Sequence, residues 1–108
     1  MVYVTIDTDE NANKLIQAVL EANQVACVNK IKQGMFSSYK WEGKVVVDEA
    51  EMLLIMKTKN ECLPSLIQMV KDNHPYDCPE CIAVPVTHGS QDYINWVKNE
   101  TKVIEKKD

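Results

Sequence analysis

Residues 25–58 read VACVNKIKQGMFSSYKWEGKVVVDEAEMLLIMKT. Two proline-free runs, Val25 to Tyr39 and Lys44 to Thr58, flank Trp41-Glu42-Gly43. A glycine there can take the positive φ of a tight hairpin turn. The stretch therefore predicts two long antiparallel strands, each well beyond the mean strand of about six residues. Gly34 inside the first run predicts a bulge or bend. Met52-Leu53-Leu54-Ile55-Met56 is continuous and apolar, the pattern of a central strand covered on both faces. Arms of this length overhang a small sheet, and bare edges pair with other chains. An oligomer joined through these strands is the expectation, with closed symmetry if the edges meet head to tail.

Upstream, Val2, Val4 and Ile6 alternate with Tyr3 and Thr5 as far as Thr8, which predicts a strand. Thr8 or Asp9 can cap a helix striped by Ala12, Leu15, Ile16, Val19 and Leu20. Asn23 suits its end, because Asn tolerates the left-handed conformation. Downstream, Leu63, Leu66, Ile67 and Val70 stripe a second helix, with Pro64 in its first turn. His74-Pro75 ends that helix, since the residue before proline is pushed into extended backbone. Cys81 to Val86 reads as a short strand, and Pro85 places it at an edge. Ser90 caps a last helix bearing Tyr93, Ile94, Trp96 and Val97, and Thr101–Asp108 is a charged tail. The order is an α+β, ferredoxin-like βαββαβ sandwich with a long central hairpin and an extra C-terminal helix. One domain spans residues 1–108, with one sheet face under two helices and the other needing a partner.

A chain of 108 residues can bury a core without disulfides or metal. The net charge is −4 and no basic run occurs, which argues against nucleic acid as a partner. The longest apolar run, Met52–Met56, is too short to cross a bilayer. No leader pattern is present, so the cytoplasm is expected and the four cysteines read as reduced thiols. No nucleophile elbow, phosphate loop, dinucleotide fingerprint or HExxH helix occurs, and no enzymatic reaction is assigned.

His74, Cys78, Cys81 and His88 form one candidate metal set. Zinc takes four thiolate or imidazole ligands, and Cys-Pro-Glu-Cys has the spacing of a knuckle. The same thiols can instead be small buried hydrophobes, or a redox pair, although a strand rather than a helix follows them. His74 alone is either a metal ligand or a helix-end side chain bonding free carbonyls. Cys27 is either a soft ligand or a packed thiol. Glu49 and Glu51 share one strand face and Asp48 takes the other; with Lys44, Lys57 and Lys59 they read as solvated or cross-strand charges. Tyr39, Trp41, Tyr76, Tyr93 and Trp96 can wall a cleft between subunits or serve core and interface packing.

In order along the chain, Ala26-Cys27-Val28-Asn29, Ser37 through Lys44, Glu51 through Thr58, His74-Pro75-Tyr76-Asp77, Pro79-Glu80, Pro85-Val86, Tyr93 and Trp96 together resemble the CutA divalent-cation-tolerance family. The resemblance covers nearly the whole chain. It implies the same topology, a homotrimer formed through the hairpins, and a role in the response to divalent metal ions, with copper or a similar cation as ligand. The implied site lies near His74 and the clefts between subunits, with Asp77, Glu80 or Cys27 assisting. The segment from Asn29 to Ser37 is one residue longer than the family pattern, which implies a shifted bulge. The family's bacterial copper proposal uses a first-strand cysteine and a His pair before Pro-Tyr. Val4 and Asn73 stand at two of those positions, and only His74 matches. A second reading is a small-ligand signalling or scaffold trimer with effector sites, including Glu80, between subunits.

Overall fold

A computed structural model describes residues 1–104. The elements are β1 (Val2–Ile6), α1 (Asp9–Glu21), β2 (Cys27–Trp41), β3 (Lys44–Lys57), α2 (Leu63–Asn73, entered through a short 3₁₀ turn), β4 (Cys81–Ala83) and α3 (Gln91–Glu100). The order is the expected one; the last four residues of the charged tail lie outside the described residues.

The strands form one antiparallel sheet in the order β2-β3-β1-β4. Alternation sends Val2, Val4, Ile6, Leu54 and Met56 to one face, where they meet Ala12, Leu15, Val19, Leu66 and Val70 of the two helices. These side chains are fully buried. Thr8 caps α1 as expected, its hydroxyl accepting from the Asn11 N–H at 3.1 Å. Asn23 takes φ +58 just past the helix end. On the other face Tyr3, Thr5, Leu53 and Ile55 are half-buried, with no helix over them. The apolar run in β3 is thus central, yet one chain covers only one of its faces.

The hairpin turns at Glu42 (φ +50) and Gly43 (φ +80), the two positive dihedrals of a tight two-residue turn. Two irregularities interrupt the ladder. Between Ile31 and Met35 β2 advances four residues against two of β3, with Gly34 at φ +89, where a side chain is strained. Between Ser37 and Tyr39 the excess lies on β3, where Asp48 takes φ +54 and donates its N–H to Ser38 Oγ at 3.1 Å. Both add twist and re-aim side chains.

One expectation is corrected. The last strand stops at Ala83 rather than Val86, because Pro85 has no N–H; Val84 still donates to the Met1 carbonyl at 2.7 Å. Of the roles open to Trp41 and Trp96, packing in the chain's own core is not taken: they are 45% and 43% exposed. Indeed α3 contributes no buried side chain. It is held by its C-terminal end, where Lys59 Nζ donates to the carbonyls of Lys98 and Thr101 at 3.3 and 2.8 Å. Lys102 N–H donates to the Asn23 carbonyl at 2.9 Å.

Candidate functional site

The helix-free face of the sheet runs into a cleft of about 580 Å³ along the hairpin arms. Its floor is Thr5 and Glu51, its hairpin wall Tyr39, Trp41 and Glu49, and its opposite wall the loop after α2 with Tyr76, Asp77, Cys78 and Glu80. Alternation in β3 explains the floor. Glu49, Glu51 and Leu53 are two residues apart, so they share the face opposite Leu54 and Met56.

Two phenol–carboxylate bonds organise the cleft. Tyr76 donates to Glu51 Oε2 at 2.8 Å, and Tyr39 donates to Glu49 Oε2 at 2.7 Å. Glu51 is only 9% exposed. Burial, and then the bond to Glu51, push the Tyr76 phenol above its usual range. The bond to Glu49 is the main cause of the same upward push on Tyr39. Both tyrosines therefore stay protonated donors across the physiological range. Among the described residues the ion pairs are Lys14–Glu10, Lys30–Asp9 and Lys32–Asp9, none of them in the cleft. Glu49, Glu51, Asp77 and Glu80 thus give the cleft a negative potential without a protein counter-charge.

His74 sits behind this wall, in a structural position. Its Nδ1 accepts the Tyr76 backbone N–H at 3.2 Å, which leaves Nε2 to donate to the Thr5 carbonyl at 2.7 Å. Its ring meets the Tyr76 ring edge-on, with centroids 4.5 Å apart. The imidazole is 9% exposed. It fixes where Tyr76 stands, and both its nitrogens are used in doing so.

The other candidate ligands are dispersed. Cys81 opposes Val4 in the sheet and packs against the core, and burial pushes its thiol up. Cys78 is exposed and lines the cleft. The Cys-Pro-Glu-Cys pair is therefore divided between core and cleft: Cys81 takes the packed-thiol alternative, and the two thiols do not share one environment. His88 is exposed in the loop before α3, with Nδ1 3.0 Å from Thr87 Oγ1. Cys27 pairs with Lys57 at the far end of the sheet, away from the Thr5–His74 end, so within one chain it does not reach His74. Its Sγ lies 3.5 Å from the Tyr93 hydroxyl, and Tyr93 meets Trp96 edge-on at 5.5 Å. That bond to Cys27 is the main reason the Tyr93 phenol is pushed up. Tyr93 and Trp96 thus belong to another surface than Tyr39, Trp41 and Tyr76. Among the described residues no three His, Cys, Asp or Glu side chains converge as a metal set.

Sequence reasoning missed Glu51, reading it as a solvated or cross-strand charge. Its position one residue before the apolar run Met52–Met56 was the available signal, because a carboxylate at the start of a buried strand needs a donor.

The profile of the CutA1 divalent ion tolerance protein family matches residues 1–100. The chain is 46% identical over 102 residues to "Protein CutA, chloroplastic" of Arabidopsis thaliana, covering 94% of this chain and 55% of that protein. It spans about half the length of the plant relatives it matches. Among solved structures, the divalent cation tolerance protein (Cut A1) of Thermus thermophilus superposes with a TM-score of 0.87 at 38% identity, over 94% of this chain and 96% of that one. The PII-like protein CutA from Nostoc sp. PCC 7120 in apo form superposes with a TM-score of 0.84 at 30% identity, over 95% and 97%. With that profile along nearly its whole length, and with the sheet, hairpin and helix order on which its own residues insist, the chain belongs to the CutA1 divalent ion tolerance family.

Proposed function

We propose that this chain is a binding protein of the divalent-cation response rather than an enzyme, and that its ligand is a cation taken up in the cleft of Glu51 and Tyr76. The observation that carries this reading is Glu51, a residue only 9% exposed whose carboxylate faces the cleft, hydrogen-bonded by a phenol but paired with no protein cation among the described residues. A buried charge is costly unless something offsets it. The Thermus relative's name, divalent cation tolerance protein, supports the same class of ligand.

The reading includes a homotrimer. Phe36, Val45 and Val47 are 64–65% exposed along the hairpin, and β2 and β4 are the two edges of the sheet. An edge of one kind meeting an edge of the other kind, copy after copy, closes a ring. A second copy would then contribute the remaining ligands for copper or a similar ion, which one chain does not gather among its described residues. Reduced cysteines fit a cytoplasmic protein.

Native mass spectrometry before and after adding cupric or zinc ion tests both parts. Three copies with integral metal, lost on Glu51→Gln, is the expected result. A protein that ignores both ions would remove the metal. A second reading, an effector-binding trimer, is favoured by the cleft's volume, which far exceeds that of one ion. Thermal shift separates the two, because only a bound ligand raises the unfolding temperature.

A further inference from the structure

We propose that the cleft takes an organic dication: an α,ω-diamine whose two ammonium groups sit at Glu51 and Glu49, with its methylene chain along Tyr39, Trp41 and Tyr76. The inference rests on the cleft being the cation site, and it names the kind of cation.

The negative groups of the cleft are spread out rather than convergent. An inorganic divalent ion needs several donors about 2.0–2.6 Å from one point; among the described residues of one chain no three candidate side chains meet in that way, so such an ion would need a second copy's ligands. Glu49 and Glu51 instead stand two residues apart on one strand face. Their backbones are therefore roughly 6.6 Å apart, close to the spacing that an extended four-carbon diamine gives its nitrogens. Each carboxylate has one oxygen engaged by a tyrosine and the other free of protein donors among the described residues. An ammonium has three donors to offer those oxygens.

The walls suit the rest of such a molecule. Tyr39, Trp41 and Tyr76 line the same cleft. Aromatic faces attract ammonium groups and cover methylenes. Trp41 is 45% exposed and Tyr39 39% exposed, so both rings have surface left to give. Among the described residues no lysine, arginine or histidine lines the cleft to repel the ligand.

Isothermal titration of the full chain with 1,4-diaminobutane at physiological ionic strength tests the proposal, with butylamine and cupric ion as comparisons. The expected result is one diamine per chain, butylamine bound at least tenfold more weakly, and a tenfold or greater loss for Glu51→Gln and for Glu49→Gln. Circular dichroism checks that each variant folds; Glu49 is only half-buried, so its variant carries the test if the Glu51 variant unfolds. Butylamine binding as tightly as the diamine, or a folded variant binding like the parent, overturns the proposal. If the diamine fails but cupric ion binds in a Glu51-dependent manner, the diamine falls and the cation cleft stands. If neither binds, both fall.

Discussion

Tyr76 and Glu51, 25 residues apart in sequence, are joined by a 2.8 Å hydrogen bond between a half-buried phenol and a nearly buried carboxylate. His74 sets this bond up. Its ring accepts the Tyr76 N–H and is itself anchored on the Thr5 carbonyl, so β1, β3 and the loop after α2 meet at one point. Tyr76→Phe keeps the ring and removes the donor. Hydrogen bonds to charged groups are worth about 1.5–3 kcal/mol, and an orphaned buried charge is worse. The variant should unfold at lower urea concentration, with a loss in that range. Glu51→Gln in the Tyr76→Phe background should recover part of it. Urea titrations of the four proteins, read as a double-mutant cycle, check this; full additivity would mean that the bond has no energetic weight.

Gln24 is fully buried and joins three segments. Its Nε2 donates to the carbonyls of Ala22 and Lys102 at 2.9 Å each, its Oε1 accepts from Ser65, and its own carbonyl accepts from Thr58 Oγ1 at 2.6 Å. Gln24→Leu fills the space and takes the side-chain donor from the Ala22 and Lys102 carbonyls, while Ser65 keeps its bond to the Cys62 carbonyl. A cost of about 1–3 kcal/mol for an orphaned buried group applies. The segment around Lys102 should also exchange amide hydrogens faster, because α3 is anchored there. Unchanged exchange at Lys102 with a lowered midpoint would show that the cost lies elsewhere.

At the start of α1, Asp9 bonds Lys30 of β2 and lies 3.4 Å from Lys32. The bond to Lys30 is the main cause that holds the Asp9 carboxyl below its usual value. A carboxyl with a lowered folded-state pKa adds stability above its unfolded pKa. That stability fades as pH falls through the lower folded value, because the folded state then takes up the proton too. Asp9→Asn should therefore flatten the acid limb of the stability curve below about pH 4 and leave its shape near neutrality unchanged. Unfolding midpoints of both proteins across that range measure it.

At the hairpin tip Gly43 takes φ +80, with nothing within 4 Å of the place where a Cβ would stand. The cost of Gly43→Ala is thus backbone strain alone, roughly 1–2 kcal/mol for an L-residue in the left-handed region. Glu42 already occupies that region at φ +50, so Glu42→Gly should stabilise the same turn by a smaller amount. Equal stability of Gly43→Ala and the parent would mean that the turn relaxes to another type.

The hairpin was legible because every signal for it is local: two proline-free runs, one glycine at the tip and one inside an arm. The α1 and α2 stripes were legible for the same reason. What escaped the sequence depends on contacts between distant segments. Cys78 and Cys81 have knuckle spacing, but pairing of Cys81 with Val4 turns its thiol into the core. His74 looks like a ligand until β1 supplies the Thr5 carbonyl that accepts its Nε2–H hydrogen bond. Trp96 lies on an apolar helix stripe, yet α3 buries no side chain against the rest of the chain. Composition cannot tell a face that meets the chain's own core from one left for a second copy.

That distinction sets the last prediction. Val45 and Val47 are 65% and 64% exposed on β3, and Phe36 is 64% exposed on β2. Large apolar side chains gathered along both arms of a hairpin mark an interaction surface. All three stand outside the core cluster under the helices. Replacing Val45 and Val47 by Lys should therefore leave the fold of one chain intact while placing charge in the surface proposed to join copies. Light scattering after gel filtration should give the monomer mass for Val45→Lys/Val47→Lys and three times that mass for the parent. Because association adds to apparent stability by mass action, the parent's unfolding temperature should also rise with protein concentration and the variant's should not. A variant that keeps the parent's mass would show that copies meet elsewhere, and the exposed arm would then need another occupant.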